Sequence, residues 1–406
     1  MTSLSPARAR LALLALALGG FGIGTTEFVA MGLLPDLARD LLPGLYAASP
    51  DAANARAGSL VTAYALGVVV GAPTIAAAAA RFPRKQLLLA LVAAFTLGTI
   101  ASALLPSFGL VLVARFVAGL PHGAYFGVAA LVASSLLGAG KRGQGIALVL
   151  SGLTIANVVG VPSITYLGQV TNWRIASLVV AAIFAATFIA IAALVPFQPG
   201  DRSATVRREL RAFGRIQVWL ALLIGAVGFG GFFAVYTFIS PLVTEVTRLG
   251  IGFVPVVLVV VGVGMTLGNI LGGWTADRNV MGSILAYFGF FFVALTGLAL
   301  TSQTTGGLIV FVFLVGFAAS ALSPAIQTRL MDVAGDSQTL AAAVNHASLN
   351  LGNGLGALLG GVTIAAGFGY VSPTWVGLIL CGPGIALVVA SLLLQRSCRE
   401  PALVAA

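Results

Sequence analysis

Charged side chains are scarce in this 406-residue sequence: they fill 8% of positions, with 11 acidic residues against 21 basic ones. Ordinary soluble domains are about 25% charged. A water-soluble chain this poor in charge could not cover its surface, so a soluble enzyme with one anchor and a disordered chain are both excluded. Cysteine is nearly absent, with Cys381 in an apolar run and Cys398 in the tail. That placement suggests neither a disulfide framework nor a zinc site. Histidine occurs only as His122 and His346. No Gly-rich loop ends in Lys-Ser/Thr, which removes ATP as the energy source. No metal-ligand cluster or catalytic triad can be assembled, so no cofactor is expected.

What is present is hydrophobic: 59% of residues, with a mean hydropathy of +1.07. Twelve helices of ~20 residues would occupy ~240 positions, which the length accommodates. Apolar runs bounded by charge or Pro/Gly clusters lie at about 11–34, 58–80, 86–105, 109–136, 144–168, 174–196, 217–243, 251–274, 281–301, 306–328, 340–366 and 373–395. They are continuously apolar rather than alternating, which predicts spanning helices and not barrel strands. Arg8 and Arg10 before the first run imitate a secretory signal. The run from Leu11 to Leu34 is too long for one, however, and no clear small-residue cleavage site interrupts it.

The net charge of +10 could point to nucleic acid, but basic residues collect in the cytoplasmic loops of membrane proteins. With the N-terminus inside, 16 basic residues fall in cytoplasmic segments and 4 in outer loops, with Arg115 inside a span. This split predicts that both termini are cytoplasmic, as an even number of spans requires, and that no nucleic acid is bound.

The chain repeats itself at half its length. Gly67 and Gly71 match Gly264 and Gly268 at an offset of 197, which also relates Arg81 to Arg278 and Gly119 to Gly316. Asn157 and Gly160 match Asn353 and Gly356 at 196, while Gly24 and Pro35 match Gly230 and Pro241 at 206. The implied organisation is a six-helix half over 1–196, a basic linker over 197–216 and a second half over 217–406. Parallel halves with a site between them at mid-membrane are a transporter design.

Four segments then carry a resemblance. They are Thr25-Thr26-Glu27-Phe28 through Met31-Gly32-Leu33-Leu34-Pro35; Arg115-Phe-Val-Ala-Gly119; Gly152 through Gly160-Val161-Pro162 to Gly168; and Gly273-Trp-Thr-Ala-Asp277-Arg278. Together they resemble the major facilitator superfamily, specifically its twelve-span drug:proton antiporter family with arabinose-efflux-like members. The resemblance covers essentially the whole chain. It implies an all-α integral membrane protein of major facilitator fold, with twelve transmembrane helices in two pseudo-symmetric halves. It further implies a monomer in a bacterial-type cell (inner) membrane that exchanges protons for a small molecule. Arg81, Arg84, Lys85, Gly160, Pro162, Asp277 and Arg278 would be its conformational motifs. One departure is plain: Ala80 stands where the first-half loop motif should carry an aspartate. In the family that acid resembles a latch at a helix start, a favourable place for a carboxylate, and Asp277 is left to make such a contact from the second half.

Ten of the acidic residues lie in loops or at span ends; only Glu27 lies well inside a span. An ionisable group at membrane depth is by default functional, and its surroundings can tune it for proton exchange. At 1.5 Å per residue Glu27 lies ~12 Å and Arg115 ~9 Å from the outer side, so the two can meet. One reading makes Glu27 the proton carrier with Arg115 as its modulator; the other makes them a permanent ion pair that fixes packing. Asp36, at the outer mouth, reads as a solvated helix-end acid or as a secondary proton site. His122 is expected to line a cavity and His346 to pack. Asn157, Asn345, Asn350 and Asn353 lie in spans, where amides bind substrate or hold helices together. Phe21, Thr26, Tyr64, Phe126, Phe232, Phe233 and Tyr236 complete the candidate binding surface. An apolar, aromatic cavity with few polar anchors suits drug-like molecules, so the expected activity is proton-coupled export of small, largely apolar antimicrobials. Export of sugars or metabolites is the alternative within transport. A membrane enzyme or receptor is disfavoured, because one acid and two scattered histidines make a poor catalytic set and the longest cytoplasmic loop, of about 20 residues, is too short for a sensor domain.

Overall fold

A computed structural model of the protein describes residues 5–79, 82–137, 142–200, 214–334 and 338–404. Ala80, Arg81 and most of the expected linker, 201–213, lie outside the described residues. Among the described residues, twelve helices are long and apolar enough to cross a membrane. In chain order, spans 1 to 6 are Ala7–Gly32, Pro50–Ile75, Arg84–Leu104, Phe108–Leu137, Ala147–Val170 and Trp173–Leu194. Spans 7 to 12 are Ile216–Thr237, Ile251–Ala276, Val280–Thr301, Thr305–Ala334, Val344–Phe368 and Ser372–Gln395. Each apolar run of the sequence becomes one span. We call the end of the bundle from which span 1 starts the terminal face, and the opposite end the distal face.

Proline decides where the helices depart from the simple reading. Span 7 stops at Thr237 instead of running to 243, because Pro241 offers no N–H and its ring crowds the preceding turn. The chain there passes through a short helix, Ile239–Pro241, and a π-helical turn, Leu242–Val246. In span 5 the Gly160-Val-Pro162 segment produces a π-helical turn over Ala156–Gly160, directly before the helix that Pro162 helps to start. Such turns concentrate at functional sites, and this one carries Asn157.

Lipid is as apolar as leucine, so helices in a bilayer are held by close packing and polar contacts rather than by hydrophobic contrast. The repeated glycines supply the packing. A Cβ at Gly67 or Gly71 in span 2 would collide with the carbonyl oxygens of Phe116 and Leu120 in span 4. At Gly264 and Gly268 in span 8 it would collide with those of Phe313 and Phe317 in span 10. Tyr125 of span 4 donates to the Leu16 carbonyl of span 1 at 2.8 Å, and Phe95 stacks on Phe184 at 4.9 Å between spans 3 and 6. Leu97, Ile189, Ile270 and Ile379 point outward, as lipid-facing side chains should.

Span 2 packs on span 11 and span 5 on span 8. Toward the distal face these contacts are tight. Asn54 Nδ2 donates to Tyr370 Oη at 2.8 Å, and Thr62 Oγ1 donates to the Gly354 carbonyl at 3.3 Å. Leu34, Ala38, Ala53 and Ala57 bury against Phe238, Ile364 and Tyr370 in one apolar cluster. At the terminal face the polar contacts among the described residues stay local. Arg84 donates to Gln198 Oε1 at 3.5 Å and Lys85 to the Ala192 carbonyl at 2.7 Å. Arg329 donates to Gln217 Oε1 at 3.0 Å and to Ser391 Oγ at 3.1 Å.

Candidate functional site

Spans 1, 4, 5, 7, 8, 10 and 11 enclose a cavity of about 270 Å3 that extends from mid-depth toward the terminal face. Glu27 is on its wall and is 4% exposed. The carboxylate is held from two sides. Asn353 Nδ2 of span 11 donates to Oε1 at 3.1 Å, and His122 Nδ1 of span 4 lies 3.9 Å from Oε2. The same His122 nitrogen is 3.2 Å from Tyr64 Oη. A polar chain thus runs from Tyr64 through His122 to Glu27 and across to span 11.

Arg115 joins this chain indirectly. Its Nη1 donates to the Thr26 carbonyl at 2.9 Å, and its guanidinium lies over the Tyr64 ring at 4.6 Å, a cation–π contact. Among the described residues the ion pairs are Arg39–Asp36 and Arg174–Asp40, and His122 pairs ionically with Glu27 only when its imidazole is protonated. Arg115 and Glu27 therefore make no direct ion pair and are linked through Tyr64 and His122. Asp36 sits apart, in the distal helix Leu34–Leu41, with a carboxyl oxygen 3.9 Å from Arg39 Nη1. Burial raises its pKa above the ordinary aspartate value, and Arg39 partly offsets that shift.

Of the candidate binding residues, His122, Asn157, Phe233 and Asn350 line the cavity. His346, expected to pack, does both: it lines the cavity and stacks on Phe126 at 4.9 Å with rings 5° apart. Asn345 also lines the cavity. Phe126, Phe232 and Tyr236 stand behind the wall: Phe232 stacks on Tyr236 at 5.0 Å, and Tyr236 meets Phe28 edge-on at 5.9 Å. Phe21 packs under Gly160, where a side chain would strike its ring. Thr26 turns its side chain away, into a smaller cavity beside Arg115. Pro162 follows the bend of span 5. Asp277 is exposed and makes no ion pair with a described residue, while Arg278 folds back to donate to the Trp274 carbonyl at 2.8 Å.

The sequence reading missed one wall. Thr266 and Asn269 of span 8, with Ser320, Ser323 and Gln327 of span 10, face Glu27 across the cavity. Phe28, Phe229 and Phe233 form the aromatic side, with Phe28 and Phe233 stacked at 6.0 Å. The cavity is therefore amphipathic: aromatic on one side, hydroxyl- and amide-lined on the other, with Glu27 the only acidic residue on its wall among the described residues.

Comparison with known proteins agrees with this architecture. The model of the Major Facilitator Superfamily matches residues 16–335. The chain is 38% identical over 379 residues to the inner membrane transport protein YdhP of Escherichia coli (strain K12), covering 93% of this chain and 95% of that protein. It is 33% identical over 380 residues to a chloramphenicol resistance protein of Streptomyces lividans, covering 92% and 94%. In three dimensions it resembles a partially occluded, inward-open conformation of the E. coli xylose transporter XylE, with a TM-score of 0.70 at 14% identity over 94% of this chain and 97% of that one. The chain belongs to the major facilitator superfamily and is a multi-pass membrane transporter, not an enzyme.

Proposed function

We propose that the protein is a proton-coupled antiporter that exports small, uncharged amphipathic compounds of antimicrobial type. The carrying observation is the Asn353–Glu27 hydrogen bond on the cavity wall. It makes the charge of one carboxyl, the occupancy of the cavity and the contact between spans 1 and 11 parts of one equilibrium. A hydrogen bond to a charged group contributes about 1.5–3 kcal/mol, enough to bias two conformations whose energies differ by a few kcal/mol.

In this reading residues 1–196 and 217–406 move as two bodies joined by 197–216, and the terminal face is cytoplasmic in a bacterial-type inner membrane. The split of basic residues supports that orientation. With the distal face closed, substrate enters from the cytoplasm and lies between the phenylalanines and the polar wall. Its binding beside Glu27 favours loss of the proton. Reopening toward the distal face releases substrate outside, and the carboxyl is reprotonated there. Each ligand then favours the conformation in which it is itself released and the other is loaded, as exchange requires. The protein would work as a monomer, since the cavity is complete within one chain.

The name of the Streptomyces relative makes chloramphenicol the first probe, and its aromatic body with hydroxyl and amide groups fits an amphipathic cavity. Export of a sugar or other polar metabolite is the second reading, supported by Thr266, Asn269, Ser320, Ser323 and Gln327. The test is counterflow in proteoliposomes with chloramphenicol and with a panel of neutral sugars under an imposed proton gradient. Gradient-driven uptake of the drug supports the first reading; uptake of a sugar alone supports the second.

A further inference from the structure

The first half contains a second cavity, separate from the transport cavity and of about 40 Å3, between spans 1, 2, 3, 4 and 6 on the distal side of Arg115. Its polar lining is Thr26, Thr99, Ser102, Arg115 and Ser177, and among the described residues its lining comes from the first half. Two of these side chains are unsatisfied. Arg115 is 8% exposed, and its Nε and Nη2 have no hydrogen-bond partner among the described residues. Thr99 is 3% exposed, and its Oγ1 is likewise unpartnered. Ser102 and Ser177 already donate within their own helices, to the Gly98 and Trp173 carbonyls at 2.8 Å each.

A buried guanidinium with two idle donors is costly unless something compensates it. Facing it are the Tyr64 ring, which attracts it weakly, and Glu27, which makes no direct ion pair with it. A space of this size holds about two or three water-sized particles or one monatomic anion. The donors are cationic N–H groups and a free hydroxyl, with the Ser102 and Ser177 hydroxyls committed to their own helices, a set that favours an anion over water.

From this geometry we infer that the cavity is a halide site, occupied by chloride held by Arg115 Nε and Nη2 and by Thr99 Oγ1. The ion neutralises Arg115 without entering the transport cavity, so the role of Arg115 includes carrying an anion as well as anchoring Thr26. This site does not depend on which substrate is exported, nor on Glu27 carrying the proton.

The test uses the purified full-length protein. Its melting temperature is followed at constant pH and ionic strength as chloride replaces gluconate. The expected result is a saturable rise that bromide reproduces. Thr99→Val, which keeps the shape and removes the hydroxyl, should raise the half-saturating chloride concentration about tenfold, the size of one hydrogen bond to a charged group. Thr187→Val, whose hydroxyl only donates to its own helix at 2.8 Å, should leave the titration unchanged. Equal melting in both salts, or an unchanged titration in Thr99→Val, would overturn the inference and leave the cavity to water. Should Thr99→Val not fold, anomalous diffraction from bromide-grown crystals of the unaltered protein decides: a peak beside Arg115 Nε supports the site, and its absence removes it.

Discussion

Asn353 and Glu27 lie 326 residues apart in sequence, yet the amide of one donates a 3.1 Å hydrogen bond to the carboxylate of the other. The bond crosses from span 11 to span 1 at the wall of the larger cavity. Replacing Asn353 with alanine should weaken the distal-closed conformation by about 1.5–3 kcal/mol, roughly a ten- to hundredfold shift in its population. Distances between spin labels on the distal ends of spans 1 and 11 should lengthen in Asn353→Ala. Unchanged distance distributions would mean the bond does not hold the conformation.

The distal seal offers a second, independent handle. Tyr370→Phe removes the hydroxyl that accepts from Asn54 and leaves a buried amide unpaired, at about 1–3 kcal/mol. A cysteine introduced as Ala55→Cys should then react several-fold faster with an impermeant maleimide added from the distal side. Equal rates in the two backgrounds would show that the apolar cluster around Phe238 and Ile364 suffices without the hydrogen bond.

The sequence disclosed the architecture because lipid demands long apolar runs, and it disclosed Glu27 because a carboxylate inside such a run is conspicuous. It did not disclose which face of each helix is the inner one. Lipid and packing interface are equally apolar, so Phe233 and Phe232, adjacent in the chain, looked equivalent; only Phe233 reaches the cavity. The polar wall of spans 8 and 10 was hidden for a related reason. Serine and threonine within spans commonly bond their own backbone, as Thr266 does to the Gly262 carbonyl at 2.8 Å. Only the packing of span 8 on span 10 turns them toward Glu27. Asn353 was visible as an amide, but its partner on the first helix was not.

The glycine contacts between spans 2 and 4 and between spans 8 and 10 predict a sharp positional contrast. Gly71→Val and Gly268→Val should each lower stability by about 1–3 kcal/mol or more, the usual cost of overpacking, because backbone carbonyls occupy the space. Gly289→Ala, with open space at its Cβ position, should match the unaltered protein. Thermal unfolding in one detergent checks both. Equal melting of all three variants would contradict the packing described.

Asp36 should prove dispensable. Its carboxyl pKa is raised by burial, so protonation favours the folded state; the stability it contributes is full below the ordinary aspartate value of 3.8 and is lost as pH rises through its raised value. Asp36→Asn should therefore melt at or above the unaltered protein at neutral pH, with the difference narrowing or reversing in acid, and should still transport. Loss of gradient-driven transport in this variant would make Asp36 a working proton site instead.

The central claim is that Glu27 is the group that trades its proton for substrate. The direct measurement is proton release in unbuffered detergent solution on adding chloramphenicol, compared between the unaltered protein and Glu27→Gln. The unaltered protein should release protons saturably with drug. Glu27→Gln, which preserves shape and the hydrogen bond to Asn353, should bind the drug with no release. Release of the same size from Glu27→Gln would contradict the claim.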